Sequence, residues 1–153
     1  MSLIVGIEYC KLDSNGRFKL PIAIKKQLEG EDCRFVFRSS IYADCLELWT
    51  YASFEAEIAH LQKELNPYSI EDRKMLRVLS AGNIVEMDTN DRLVIPNEQR
   101  ERIKASKELV LQSTGKFMEI WDRDTYSRIF SEAADYAIKV DERLGRIKNE
   151  PGV

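Results

Sequence analysis

The sequence predicts an α+β protein built from two copies of one β-turn-β unit. Three observations lead to this prediction: a repeated turn motif, a repeated strand motif, and amphipathic helical patterns between and after the copies. Residues 13–21, DSNGRFKLP, are echoed by residues 88–96, DTNDRLVIP, at an offset of 75 positions. Residues 46–49, LELW, are echoed by residues 118–121, MEIW, at an offset of 72 positions.

Each copy contains a turn signal between two segments of alternating hydrophobicity. Asn15-Gly16 predicts a tight primed turn, because the central residues of such a turn need positive φ. The second copy has Asn90-Asp91 there, and Asn and Asp tolerate the left-handed region better than most residues other than glycine. The predicted turn-forming residues are Asp13, Asn15, Gly16, Asp88, Asn90 and Asp91.

The strand after the first turn has two different faces. Phe18 and Leu20 point to one side and predict a core, whereas Arg17 and Lys19 point to the other side. Pro21 then suits the start of a short helix, and the second copy repeats this pattern more weakly.

Two further strands and a helix follow in each copy. The predicted strands cover residues 34–38, 45–49, 108–112 and 117–121. Ser53 and Ser69 are each expected to cap a helix. The apolar stripe of the first of these helices consists of Phe54, Ile58, Leu61 and Leu65. The predicted boundaries within a single domain are repeat one at 5–52, a helical linker pair at 53–82, repeat two at 83–124 and a C-terminal helix at 125–145.

The composition is that of an ordinary globular domain. With 153 residues, 44% of them hydrophobic and 32% charged, the chain is long enough to bury a core without disulfides or metal. No apolar run approaches the roughly 18 residues of a membrane helix, and the first residues lack the basic region and cleavage site of a signal peptide. We therefore expect a cytoplasmic protein with no membrane partner.

The sequence offers no catalytic or metal-binding pattern. Cys10, Cys33 and Cys45 are too far apart for a Cys-x-x-Cys site, and we interpret them as small buried hydrophobic residues. His60 is the only histidine, and no nucleophile or carboxylate stands at a recognisable catalytic spacing from it. We expect no enzymatic activity, no cofactor, no metal and no small-molecule substrate.

The repeated motif resembles the MraZ family, whose members carry two Asp-x-x-x-Arg repeats of the SpoVT/AbrB kind. Here the repeats run from Asp13 to Arg17 and from Asp88 to Arg92, and the match covers about the whole chain. The supporting residues are Glu8-Tyr9, Asp72-Arg73, Ser80-Ala81-Gly82 and Glu119-Ile120-Trp121.

The resemblance implies both a fold and a function. The fold is a swapped-hairpin (double-split) β-barrel, made from two AbrB-like β-hairpin repeats that interleave within one chain. The function is transcription regulation by a ring-shaped homo-oligomer that binds double-stranded DNA at short direct repeats upstream of its own operon. That operon belongs to the division and cell-wall gene cluster, so the resemblance implies a nucleoid-associated repressor whose motif arginines face DNA.

The expected DNA-binding residues are two arginines and two lysines. A guanidinium fork at Arg17 or Arg92 can bond guanine bidentately or clamp a phosphate, whereas Lys19 and Lys11 suit phosphates only. A plainer interpretation of the motif is a hairpin turn whose aspartate accepts amide hydrogen bonds and whose arginine is merely solvated.

The charges favour the first copy as the DNA-binding one. The net charge of −3 argues mildly against a nucleic-acid partner, but residues 11–26 contain five basic residues against one acidic residue. Residues 88–104 contain four of each. Asp91 in place of the family's glycine, and Val94 in place of a lysine, make the second copy less basic.

A second class of function fits part of the pattern. Similar swapped-hairpin units occur in antitoxins that grip a partner protein, and the net acidity of the chain is compatible with such a protein-interaction module. Trp49 and Trp121, at the ends of strands, are expected to be core anchors, with a partner interface as the less favoured interpretation.

Overall fold

The computed structural model describes residues 4–130 and 136–145. The strands are β1 (Ile7–Lys11), β2 (Arg17–Lys19), β3 (Arg34–Ser39), β4 (Leu46–Thr50), β5 (Gly82–Glu86), β6 (Arg92–Val94), β7 (Glu108–Ser113) and β8 (Met118–Asp122). The helices are α1 (Ile22–Gln27), α2 (Tyr51–Glu64), α3 (Ile70–Leu79), α4 (Asn97–Arg102), α5 (Arg123–Ile129) and α6 (Tyr136–Leu144). No helix within the described ranges has the length and apolarity that crossing a membrane requires.

The chain divides into two compact units. The first unit ends at Arg123 and contains the eight strands just named, and the second unit begins at Asp124. The predicted C-terminal helix at 125–145 includes residues 131–135, which lie outside the described residues. The helices α5 and α6 lie on either side of that gap in the sequence.

The strands pair antiparallel and interleave the two copies. Six of them form one sheet in the order β1-β7-β8-β4-β3-β5, while β2 and β6 form a separate two-stranded ribbon, called the β2–β6 ribbon below. The first strand of each copy pairs with a strand of the other copy, β1 with β7 and β5 with β3. The prediction of an α+β fold with antiparallel strands is confirmed, and neither copy completes its sheet alone.

Two points in the strand register show how the copies are related. Phe18 pairs with Leu93 at the centre of the β2–β6 ribbon, and Glu47 pairs with Glu119 at the centre of the β4–β8 pairing. In both places a residue lies opposite its own repeat counterpart. This is the arrangement that an approximate two-fold axis between the copies produces.

The apolar inner face of the ribbon packs into the core. Phe18 and Leu93 are 1% and 0% exposed, and Phe37 and Leu111, from the two halves of the sheet, are fully buried. The Phe18 and Phe37 rings meet edge to face with their centroids 6.4 Å apart. Burial of these large side chains holds one face of the ribbon in the core, and the other face is therefore turned outward.

Each motif turn is four residues long. The Gly16 amide donates to the Asp13 carbonyl oxygen at 3.0 Å, and the Asp91 amide donates to the Asp88 carbonyl oxygen at 3.1 Å. Within these turns positive φ occurs at the last residue, +77° at Gly16 and +62° at Asp91. The prediction of a two-residue primed turn is wrong, because the left-handed residue follows a wider turn. The prediction that aspartate adopts the glycine conformation is confirmed.

Two helices, α2 and α3, lie between the two copies in the chain. The first begins earlier than predicted, because Thr50 caps α2 by accepting the Ser53 amide at 3.1 Å. Ser69 caps α3 as predicted and accepts the Asp72 amide at 3.3 Å. Asp72 does not complete a capping box with Ser69, since its carboxylate accepts the Asn66 amide instead.

The three cysteines lie in different environments. Cys45 is buried and Cys10 is half-buried, but Cys33 is exposed, so its interpretation as a buried residue is wrong. Burial, followed by the nearby Glu8 carboxylate, raises the pKa of Cys10 to about 12, and burial is also the main cause that raises the pKa of Cys45 to about 12. The Cys33 thiol donates a hydrogen bond to Glu86, and this bond raises its pKa.

These differences predict the order in which the thiols are alkylated. With iodoacetamide near pH 8, Cys33 is expected to react first because it is exposed. Cys45 is expected to react at a rate close to that of global unfolding because it is buried and protonated, and half-buried Cys10 at an intermediate rate. Mass spectrometry of quenched samples measures the order. Modification of Cys45 in the native protein as fast as that of Cys33 would contradict it.

Candidate nucleic-acid interface

The outer face of the β2–β6 ribbon carries three cationic residues and one apolar residue. Arg17 and Lys19 project from β2, and Arg92 and Val94 project from β6, because side chains alternate along each strand. The register places Arg17 opposite Val94 and Lys19 opposite Arg92. Lys19 and Val94 are exposed, and both arginines are half-buried. The structure thus brings together three of the four predicted DNA-binding residues.

A carboxylate holds the first arginine in place. Asp13 Oδ1 accepts the amides of Asn15 and Arg17, both at 2.9 Å. Asp13 Oδ2 accepts the Arg17 Nε–H at 3.2 Å. One side chain therefore closes the turn and orients the guanidinium that follows it.

The second motif repeats this geometry closely. Asp88 Oδ1 accepts the Asn90 amide at 2.8 Å and the Arg92 amide at 3.0 Å. Asp88 Oδ2 accepts the Arg92 Nε–H at 3.1 Å. The Asp-x-x-x-Arg spacing is therefore the spacing that lets one carboxylate contact both the turn amides and the arginine side chain.

Both arginines keep their terminal amino groups available. Each is bound to its aspartate through Nε, and within the described residues their Nη1 and Nη2 groups donate to no protein atom. The side chains of Arg17 and Arg92 are 29% and 31% exposed. A guanidinium fixed at Nε and open at both Nη atoms suits end-on, bidentate bonding to a planar acceptor pair.

The two aspartates remain ionised at neutral pH. The amide of Arg17, followed by the Asn15 amide and the Arg17 guanidinium, lowers the pKa of Asp13 below its ordinary value of 3.8. The Arg92 amide and its neighbours lower the pKa of Asp88 in the same way. A lowered pKa means that these bonds are present above the ordinary value and are lost as the pH falls through the lowered one. The carboxylates therefore hold both arginines from about pH 8 to about pH 5.

Removing a carboxylate should loosen its arginine without removing the arginine itself. We expect Asp13→Ala to weaken binding to a specific DNA duplex roughly two- to tenfold, because the freed Arg17 must be ordered when it binds. Fluorescence anisotropy titration measures the loss. Asp32→Ala is the matched control, since Asp32 pairs with Arg34 outside the ribbon. Equal losses for the two variants would contradict a positioning role for Asp13.

Two contacts between the copies lie at the ends of the ribbon and were not predicted from the sequence. Lys25 Nζ donates to Asp91 Oδ2 at 2.8 Å. At the other end the Arg100 guanidinium covers Gly16, and a Cβ atom at Gly16 would overlap it. Lys25 and Arg100 are repeat counterparts at the 75-residue offset. This equivalence is the sequence signal that could have predicted a basic residue of each copy beside the turn of the other copy. The negative charge at Asp91 is therefore compensated by the opposite copy.

The antiparallel pairing mixes the charges of the two copies. One end of the ribbon combines Arg17 with Val94, and the other combines Arg92 with Lys19. The first copy thus places its lysine beside the arginine of the second copy. The expectation that the first copy dominates DNA contact remains a prediction, but the geometry of the two arginines gives neither copy an advantage.

The remaining candidate residues lie outside the ribbon. Lys11, the fourth predicted DNA-binding residue, is exposed at the end of β1, opposite Glu108 of β7. Trp49 and Trp121 are buried, which confirms their interpretation as core anchors. His60 is exposed on α2. The described residues include no group of three or more His, Cys, Asp or Glu side chains placed to hold a metal ion.

The fold and this face define a class of protein. Two interleaved β-turn-β copies expose a two-stranded ribbon with a basic outer face, and a β-ribbon is one of the elements with which transcription regulators contact DNA. A family model described as "MraZ protein, putative antitoxin-like" matches residues 79–147.

Relatives match along nearly the whole chain. The chain is 32% identical to the "Transcriptional regulator MraZ" of Flavobacterium psychrophilum, over 98% of this chain and 97% of that one. It is 33% identical to the protein of that name from Christiangramia forsetii, over 93% of each chain. It is 29% identical to the one from Cytophaga hutchinsonii, over 98% of this chain and 100% of that one. The chain belongs to the MraZ family, which confirms the predicted resemblance and the prediction that the protein is not an enzyme.

Proposed function

We propose that this protein is a sequence-specific transcriptional regulator that contacts duplex DNA through the outer face of the β2–β6 ribbon. The observation that carries the proposal is the matching geometry of Arg17 and Arg92. Each donates its Nε–H to its own aspartate and keeps its Nη groups available for a ligand. A two-stranded ribbon fits the major groove, where an arginine fork matches the O6 and N7 acceptors of guanine. Lys19 and Lys11 contact phosphates.

Several protomers that bind together give the affinity for DNA that regulation requires. A single ribbon offers three cationic side chains, and each neutralised phosphate adds only modestly to binding. In a ring-shaped homo-oligomer, neighbouring ribbons engage repeated operator elements at once and gain avidity. The resemblance to the family supports direct repeats in the division and cell-wall gene cluster as the target, repression as the outcome and the nucleoid as the location. It also supports closure of the interleaved strands into a swapped-hairpin barrel.

The proposal is tested by titration of the purified full chain. The probes are a duplex from the region upstream of its own coding sequence and a duplex enriched from a randomised pool by the same protein. We expect preference for these duplexes over a scrambled one, with log affinity falling by about 0.9 per neutralised phosphate per log unit of salt. Equal binding to the scrambled duplex, or affinity independent of salt, would overturn the proposal.

A second candidate is a protein-interaction module of the antitoxin kind. The observation in its favour is the family description "putative antitoxin-like", together with the net charge of −3. An antitoxin suppresses a toxic partner, so expression of a neighbouring gene alone should arrest growth and co-expression of this chain should relieve the arrest. Normal growth during expression of the neighbouring genes would argue against this candidate.

A further inference from the structure

One residue breaks the two-fold pattern on the outer face of the β2–β6 ribbon. Arg17 and Arg92 are counterparts, but the counterpart of Lys19 is Val94. Val94 is 42% exposed, although it is apolar and its three neighbours on this face are cationic. A charged residue at this position would cost the fold little, because the position faces outward. An exposed valine at this position leaves an apolar group available for contact on this otherwise cationic face.

We propose that Val94 contacts the C5-methyl group of a thymine in the major groove, beside the guanine that Arg17 contacts. The inference rests on the proposed function and names the base that this part of the interface recognises. The thymine methyl is the apolar group that the major groove presents, and small apolar side chains recognise it by direct contact. A lysine at this position would instead reach for a phosphate or a guanine.

The strand register supports a neighbouring base pair. Val94 lies directly opposite Arg17, and adjacent strands lie about 4.8 Å apart. Successive base pairs rise about 3.4 Å along the helix axis. Two side chains at this separation meet the same or adjacent base pairs, so the guanine and the thymine lie within one step of each other.

The substitution also gives the ribbon a direction. At the opposite end, Lys19 faces Arg92 and makes that end doubly cationic. The turn contacts also differ, with a Lys25–Asp91 ion pair at the Lys19–Arg92 end and the Arg100 guanidinium over Gly16 at the Arg17–Val94 end. The two ends therefore favour different bases, and a single protomer prefers one orientation on an asymmetric element.

Deoxyuridine substitution tests this contact, because deoxyuridine pairs like thymine but lacks the methyl group. In the duplex enriched by the wild-type protein, each thymine is replaced in turn. We expect one position, within one step of a guanine that Arg17 requires, to weaken wild-type binding about fourfold, the effect of one buried methyl group. In Val94→Ala, which loses both γ-methyl groups, the difference between the two versions of that duplex should be markedly smaller than in the wild type.

Two further variants serve as controls. Val94→Thr retains one γ-methyl group and should retain much of the sensitivity to deoxyuridine. Ile84→Ala removes another exposed β-branched residue, from β5 outside the ribbon, and should retain the full sensitivity to deoxyuridine.

The outcomes separate the two proposals. If Arg17→Ala loses binding but no thymine position distinguishes wild type from Val94→Ala, the Val94 contact is overturned and the proposed function stands. If no duplex is enriched, or Arg17→Ala binds as wild type does, the proposed function and the Val94 contact both fail.

Discussion

Arg17→Ala is expected to weaken binding to the enriched duplex roughly 5- to 150-fold, the range that corresponds to about 1–3 kcal/mol for a bidentate arginine–guanine contact. The two arginines have the same carboxylate contacts and nearly the same exposure, so their geometry predicts a loss of the same order for Arg92→Ala. A much smaller loss for Arg92→Ala would instead support the prediction that the first copy dominates DNA contact. Anisotropy titration of each variant measures the losses. The double variant should lose more than either single variant.

The matched control for these variants is Arg34→Ala. Arg34 also pairs with an aspartate, through Nη2 and Asp32 Oδ2 at 2.7 Å, but it lies on β3 and not on the ribbon. Removing it subtracts the same charge from the protein. Loss of affinity from Arg34→Ala as large as that from Arg17→Ala would show that net charge, rather than the position of the arginine, governs binding.

The largest effect on stability is expected from Arg38. This residue is only 6% exposed, and it joins β3 to both linker helices. Its Nε donates to Glu47 at 2.8 Å, its Nη2 to Glu57 at 3.1 Å, and its Nη1 to the Leu79 carbonyl oxygen at 2.7 Å. The single guanidinium therefore compensates two carboxylates and the C-terminal end of α3.

Arg38→Met should lower the free energy of unfolding by about 3–5 kcal/mol, because Glu47 remains buried without its cationic partner. In a domain of this size the melting temperature should fall by roughly 6–20 °C. Urea denaturation followed by circular dichroism measures the change, with Arg34→Met as the exposed control. A loss below about 1 kcal/mol would show that the network contributes little.

The second copy shows why Arg38 is needed only once. Gln112 takes the equivalent place, since it lies opposite Glu119 as Arg38 lies opposite Glu47. Glu57, one of the additional partners of Arg38, lies on α2, and Ile129 takes its place on α5 at the 72-residue offset. The charged network around Arg38 therefore belongs to the first copy only, where the strands pack against α2 and α3.

Much of the fold follows from patterns local in the sequence. The alternation of Arg17 and Lys19 with apolar residues predicts the two faces of β2, and burial of Phe18 and Leu20 confirms it. The Asp-x-x-x-Arg spacing predicts a turn whose aspartate accepts amides, and the observed hydrogen bonds have that form. These features depend on neighbouring residues, so a single stretch of sequence is sufficient to specify them.

Features that depend on distant residues were not predictable in the same way. The pairing of Lys25 with Asp91 spans 66 positions, and the cover of Gly16 by Arg100 requires the two copies to interleave. Charge counts along the chain make the first copy the more basic one. The antiparallel register nevertheless places Lys19 of that copy beside Arg92 of the other, so both copies contribute to one basic end. The cap of α2 shifted to Thr50 because β4 leads directly into the helix.

Photo-crosslinking from the turns beside the ribbon tests most directly which face meets DNA. Benzoyl-phenylalanine replaces exposed Ser14 in one sample and exposed Glu55, on α2, in a matched control. If the β2–β6 ribbon enters the groove, the enriched duplex should crosslink from position 14 and not from position 55. Crosslinking from position 55, with none from position 14, would contradict DNA binding through the ribbon.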